Sequence, residues 1–329
     1  MKENGIATRR ALMGMVAVAS ISGGYALAQE VSDWPVRQSR FVIPFAPGGG
    51  QDVFWRIIAE RLSHRMRATF IVENKGGAGG ALGAQDVVRA APDGGTFLAT
   101  TNGVSILPSL YPQLGFNPEQ DLTPVSLLCD APSGLVVRTD SPIKDLSDLI
   151  RQAKAQPGKL TFGSGGVGSS NHLSATLMAL AAGINVTHVP YRGVAQAMTA
   201  IYAGEIDYAF SSMLELLSHV RQGRLRLIGV TSATRMPELP DVPAIAETVP
   251  GYAAPNWFAM FAPKGFSGAA LDRLVKELAM LRQDPDLNAR LQASGASIRL
   301  DGPGPLAARL AEDVPKWRAV VAQANIRAE

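Results

Sequence analysis

Cysteine is nearly absent from this 329-residue chain: Cys129 stands alone. A single cysteine excludes an internal disulfide, so the fold must rest on its apolar core. The setting Leu127-Leu128-Cys129 reads as a strand end holding a buried, structural thiol. Long apolar runs are also missing. Beyond residue 28 nothing approaches the roughly 20 apolar residues that a membrane span needs. Strong charge of either sign is absent. The balance is 31 basic against 28 acidic residues, and no Lys/Arg cluster reaches five, so nucleic-acid binding has no electrostatic footprint. Only four histidines occur. They are scattered, with no H-E-x-x-H, no Cys/His cluster at metal spacing, no G-x-S-x-G elbow and no P-loop. No metal and no catalytic residue is expected.

What is present begins with an export signal. Lys2, Arg9 and Arg10 precede the mildly apolar stretch 11–21, and Ala26-Leu27-Ala28 fits an A-x-A cleavage site. Residues 1–28 are therefore expected to be a signal peptide, with the protein working in the periplasm. Thr8-Arg9-Arg10 is compatible with twin-arginine export as well as with the ordinary route. Removing residues 1–28 takes away three basic residues and one acidic residue, leaving a net charge near +1. The roughly 300 remaining residues suffice for two lobes.

Residues 41–56, FVIPFAPGGGQDVFWR, carry the most information. An apolar strand, a glycine turn and a helix start follow one another, and such a helix start offers unpaired backbone N–H groups and a positive dipole end to an anion. The device recurs at 163–171. There Gly163-Ser164-Gly165-Gly166-Val167-Gly168 also matches G-x-G-x-x-G, but the acid that a dinucleotide ribose requires is missing: no Asp or Glu lies between Gly168 and Gly204. No cofactor is expected. Ser169, Ser170 and Asn171 instead suit capping and direct contact with a carboxylate. Asp52, at the first helix start, is read as ordering the loop amides. His172 has two readings, a donor to a bound carboxylate or a packing residue.

Along the chain, apolar strands alternate with helices, which predicts α/β lobes with largely parallel sheets flanked by helices. The second lobe is read as inserted into the first. Lobe 1 is expected at 33–130 plus 254–329, and lobe 2 at 131–253, with a hinge and a cleft between them.

These motifs identify a resemblance. PFAPGGGQDVFWR, VENKGGAGGALGA, APDGGTFL, LYPQLGFNPEQDLTPV, PGKLTFGSGGVGSSNHL, HVPYRGVAQAMTAIYAGEID, ELPDVPAIAE and WFAMFAP occur in order over nearly the whole chain. Together they resemble the Bug-type extracytoplasmic receptors, the substrate-binding subunits of tripartite tricarboxylate transporters. The resemblance implies a two-lobed periplasmic-binding-protein fold and no catalysis. It implies a small organic carboxylate as ligand, membrane permease subunits as partners, and action as a monomer. It places ligand contacts on Phe45, Gly48, Gly49, Gly50, Gln51 and Asp52, on Thr101 and Asn102, on Gly166, Ser169, Ser170 and His172, and on Asp207 and Ser211.

Three departures bear on the ligand. Gln51 stands where Thr or Ser is usual. Ser211 stands where Asp is common, which weakens the case for an ammonium-bearing ligand. Phe54 and Trp55 replace smaller residues. Phe54 joins the apolar stripe with Ile57, Ile58 and Leu62 and reads as core. Trp55 falls off that stripe, so it is read either as a cleft wall for an aromatic acid or as core. Two rival functions stay open: a sensor docking to a membrane kinase, and a periplasmic enzyme using His172 with Asp207.

Overall fold

A computed structural model describes residues 34–327, apart from 36, 112 and 294. The expected signal peptide lies outside the described residues. In chain order the elements are β1 (Gln38–Ile43), α1 (Gly50–Met66), β2 (Thr69–Asn74), α2 (Ala81–Val88), β3 (Thr96–Thr101), α3 (Gly103–Leu110), α4 (Pro118–Asp121) and β4 (Leu122–Asp130). Then come β5 (Ser133–Arg138), α5 (Leu146–Ala155), β6 (Thr161–Ser164), α6 (Ser170–Ala182), β7 (Thr187–Pro190), α7 (Val194–Ala203), β8 (Tyr208–Ser212), α8 (Met213–Arg221), β9 (Leu225–Val230) and α9 (Ile245–Thr248). The chain ends with β10 (Trp257–Pro263), α10 (Gly268–Met280), α11 (Pro285–Ala293), β11 (Ser297–Asp301) and α12 (Pro303–Gln323).

The strands form two mixed sheets, ordered β11-β4-β10-β3-β1-β2 and β7-β6-β8-β5-β9. Each is parallel where βα units succeed one another: β1 with β2 and β3, β6 with β7 and β8. Each is antiparallel around the strands that carry the chain between sheets. β10 runs against both β3 and β4, and β5 against both β8 and β9. The two crossings lie side by side, since Ala131 N–H donates to Asn256 O at 2.9 Å. A third tie comes from α12. Its Leu306, Leu310 and Val314 pack with Val42, Leu98 and Trp257, while its Trp317, Val320 and Val321 pack with Leu135, Phe162 and Phe210.

Apolar alternation cannot build these sheets, because both faces are covered by helices. Strands β3 and β10 are buried at every position, which explains the continuous apolar sequence of β10 and the lack of any charged residue in β3. The few aromatics are concentrated where they bury most area. Phe41 and Phe54 meet Trp55 edge to face at centroid distances of 5.9 and 5.3 Å, and Phe54 meets Phe258 at 5.1 Å. Trp55 is thus wholly buried in the core of the first sheet's lobe, and the reading of it as a cleft wall is corrected. The helix turns it toward β1, one residue beyond Phe54, and the apolar face is wide enough to take both.

The glycine-rich stretch after β2 has a steric origin. A Cβ on Gly83 would lie 2.8 Å from Pro44 Cα and 2.9 Å from Lys75 O. Helix α2 therefore packs its backbone directly on the loop leaving β1, and that contact fixes where the loop begins.

Replacing Trp55 by Ala is expected to lower the unfolding free energy by about 3–5 kcal/mol, as for a large buried aromatic. Urea denaturation followed by circular dichroism measures this. A cleft-wall residue would instead leave the unfolding midpoint nearly unchanged.

Candidate functional site

Parallel βα units put every strand's C-terminal end and the following helix's N-terminal end on one edge of a sheet. In this protein the edges of the two sheets face each other. The starts of α1, α6, α7 and α8 consequently line one cavity of about 70 Å³, through Gly49 to Gln51, Ser169 to Asn171, Gly193 to Ala195, and Ser211, Ser212 and Glu215. Phe45, Thr101, Asn256 and Phe258 close the side toward the first sheet. The first backbone N–H groups of each helix have no partner within it, and the dipoles add positive potential at the same ends.

The two glycine loops are held by different networks. In the first, Gly48 takes φ 91°, a conformation that favours glycine. Its N–H donates to Asp52 Oδ2 at 3.2 Å. Asp52 in turn accepts from Arg56 Nε and Nη2 at 3.1 and 3.0 Å. Arg56 also reaches Asn74 Oδ1, and Asn74 Nδ2 donates to Phe45 O. Burial pushes the Asp52 carboxyl up, but hydrogen bonds from Arg56, Asn74 and Gly48 outweigh it and hold the group below the usual carboxylate range. A buried acid beside an anion cradle is explained in this way: it is spent on the loop and does not line the cavity.

In the second loop, Ser169 caps α6. Its hydroxyl donates to Gly166 O at 2.8 Å and accepts from His172 N–H at 3.4 Å. His172 Nδ1 accepts from Gly168 N–H at 3.1 Å, which leaves the ring proton on Nε2. The ring stacks on His188, with centroids 3.9 Å apart, and Ser164 Oγ meets His188 Nε2 at 2.6 Å. Burial, then the charge of His188, push His172 down to about 3, and burial pushes His188 down to about 4.

The cavity therefore gathers nine of the residues singled out in the sequence: Phe45, Gly49, Gly50, Gln51, Thr101, Ser169, Ser170, Asn171 and Ser211. Seven stand away from its lining. Gly48, Asp52, Gly166 and His172 act beneath or within the loops. Asn102 stands just before α3 with no side-chain cap bond to it, and its Nδ2 donates to Pro255 O. Trp55 is core. Asp207 accepts from Thr161 N–H at 2.7 Å and Thr161 Oγ1 at 3.0 Å. That contact joins the beginnings of β6 and β8, the sheet edge opposite the glycine loop. Asp207 as a ligand contact is corrected on that ground, and with it the His172–Asp207 pair: Asp207 bonds to Thr161 at the start of β6, whereas His172 bonds to Gly168 in the loop that follows the strand.

Sequence reasoning found two helix starts out of four. The α7 start at Gly193 was legible, because Tyr191-Arg192-Gly193 follows a strand and precedes a helix. The Glu215 position carried no signal beyond its place one helical turn after Ser211. Asn256 depends on the crossing segment and has no local signature.

The chain matches, over residues 54–326, the family model described as the tripartite tricarboxylate transporter family receptor. It is similar to the solved structure of the periplasmic binding protein BugD, at 33% identity and a TM-score of 0.84, covering 90% of this chain and 100% of that one. It is likewise similar to R. palustris Rpa4515 with adipate, at 31% identity and a TM-score of 0.85 over 90% and 99% of the chains. MatC from Rhodopseudomonas palustris with bound malate aligns at 31% identity and a TM-score of 0.82 over 88% and 100%.

The histidine pair makes stability depend on pH. Both rings stay neutral in the folded protein well below the ordinary value near 6.5, whereas the unfolded chain takes up protons there. Their contribution is complete above about pH 6.5 and is lost as pH falls toward 4, by up to about 1.4 kcal/mol per pH unit for each ring, less for the half-buried His188. Chemical denaturation at several pH values is expected to show this slope. His188→Phe, which keeps an aromatic ring against Phe162 and His172 but cannot take a proton, should remove the His188 share of the slope and leave that of His172, whose shift comes first from its own burial.

Proposed function

This chain belongs to the tripartite tricarboxylate transporter receptor family, and from that premise we propose that it captures a small organic carboxylate in the cavity between its lobes and delivers it to a membrane permease. The observation that carries the proposal is the convergence of four helix N-termini on a cavity that no lysine or arginine lines among the described residues. The carboxylate is held by backbone N–H groups of α1, α6 and α7 and by the Ser170 hydroxyl, which makes no hydrogen bond to protein among the described residues. Neutral donors fixed in advance cost little reorganisation on binding. Each hydrogen bond to a charged group contributes about 1.5–3 kcal/mol.

The lobes, taken as 33–130 with 254–329 and as 131–253, close on the ligand. Their contact is already tight: a Cβ on Gly50 would lie 3.3 Å from Leu214 Cβ. Closure presents a composite surface to the permease, and the protein acts as an exported monomer after loss of residues 1–28. With Trp55 in the core, the apolar wall reduces to Phe45, Val194 and Phe258. Together with adipate and malate in the two related structures, this favours aliphatic acids over aromatic ones.

A thermal-shift screen of the purified protein tests the reading. Ligand binding to the folded state raises the melting temperature, so aliphatic di- and tricarboxylates are expected to raise it, and neutral sugars are not. Ser170→Ala should weaken the acid so found by about ten- to a hundredfold in calorimetric titration, with an unchanged melting temperature of the free protein. Ser169→Ala should instead lower stability by about 0.5–2 kcal/mol, because that hydroxyl is a helix cap. No shift with any acid would overturn the proposal.

A further inference from the structure

Glu215 is the single ionisable side chain among the described residues lining the cavity. It lies in the first turn of α8, and Ser211, one turn earlier, donates to its Oε2 at 2.7 Å. Burial pushes its carboxyl above the ordinary range, and only the Ser211 hydroxyl opposes that effect. No cation compensates it. A carboxyl so placed accepts more strongly than one donor can satisfy.

The surrounding groups lack donors in the same way. Gln51 Oε1 and Asn256 Oδ1 are buried without a hydrogen-bond partner, and both residues line the cavity. Asn256 is only 6% exposed. Buried acceptors left unmatched are costly, so a matching donor is selected strongly. An ionised, unsubstituted dicarboxylate brings acceptors alone. The cavity thus has two chemical poles: helix N–H donors at the starts of α1, α6 and α7, and acceptors at Gln51, Asn256 and Glu215.

We infer that Glu215 is a specificity-determining acceptor, which makes the cavity prefer a carboxylic acid bearing a hydrogen-bond donor, a hydroxyl or an ammonium group, over the same acid without one. The acid missing at Ser211, near the end of β8, is in effect supplied four residues later from the first turn of α8. This inference rests on the carboxylate-binding reading above.

Matched ligand sets test it by calorimetric titration of the purified protein. One set is butanedioate with its 2-hydroxy and 2-amino forms, and the other is 3-phenylpropanoate with its 2-hydroxy and 2-amino forms. In at least one set the wild type should bind a substituted member ten times more tightly than the unsubstituted acid. Glu215→Met should bring that ratio near one. Glu215→Gln keeps the size of the side chain and a neutral acceptor, and should retain a hydroxyl preference while losing an ammonium one. The hydroxy and amino arms also distinguish the two donors.

Equal binding of all members by the wild type would overturn the role of Glu215 and leave carboxylate capture standing. So would a preference that survives in both variants. Failure of every acid to bind the wild type would remove the carboxylate reading itself, and this inference with it.

Discussion

Everything at the candidate site depends on one constraint: the first backbone N–H groups of a helix cannot be satisfied inside it. In a βα unit those groups emerge at the carboxyl end of the strand. Two sheets whose carboxyl edges face each other therefore aim four sets of unpaired donors at one space. The cavity's preference for anions follows from topology before any side chain is chosen. The side chains then have two tasks, to keep the loops in the shape that exposes the N–H groups and to keep other chemistry out.

The first task explains residues that look functional yet do not line the cavity. Asp52 and His172 both accept from an N–H of their own glycine loop, Gly48 in one case and Gly168 in the other. Each is four residues further on, on the first turn of the helix that the loop begins. The same arrangement is built twice with different chemistry. Asp52 is kept ionised by Arg56 and Asn74, whereas His172 is kept neutral by burial and by the facing His188. An ionised acid tolerates the half-open first loop because its partner Arg56 reaches solvent. A neutral imidazole suits the second loop, where His172 is buried in a stack with Phe162 and His188.

This division also accounts for what was legible in the sequence. Strand–glycine–helix segments announce themselves locally, so the α1 and α6 starts, with Ser169 and Ser170, could be read from the residues themselves, while Gln51 as a contact came from the family resemblance. Most helices and central strands were legible too, because strands such as β10 are continuous apolar runs and α11 begins at a proline. Helix α3 and strand β11 are among those that were not. Helix α3 contains Pro108, which reads as a breaker, and it forms because the buried face of Val104, Ile106 and Leu107 outweighs the lost hydrogen bond. Strand β11 is short, with only Leu300 of its five residues buried, and it exists through pairing with β4. Trp55 was ambiguous because a helix against an aromatic core can bury adjacent residues. Asp207 was misplaced because spacing does not tell which end of a strand faces the cleft; the register of β6 with β8 does.

Asn256 and Glu215 were invisible for a further reason, and it bears on how such a cavity acquires selectivity. A frame of helix N-termini is general, since it accepts any small anion that fits. Selectivity has to come from the few side chains that oppose the general rule, and an acid in an anion cavity opposes it most strongly. Glu215 escapes the full cost because it stands at the N-terminal turn of its own helix, where the dipole favours a negative charge. On the proposed reading, the feature that attracts a carboxylate thus also supports the residue that inspects the rest of the ligand. A site of this kind can change its ligand by moving one acid around one helical turn, without altering the backbone that binds the carboxylate.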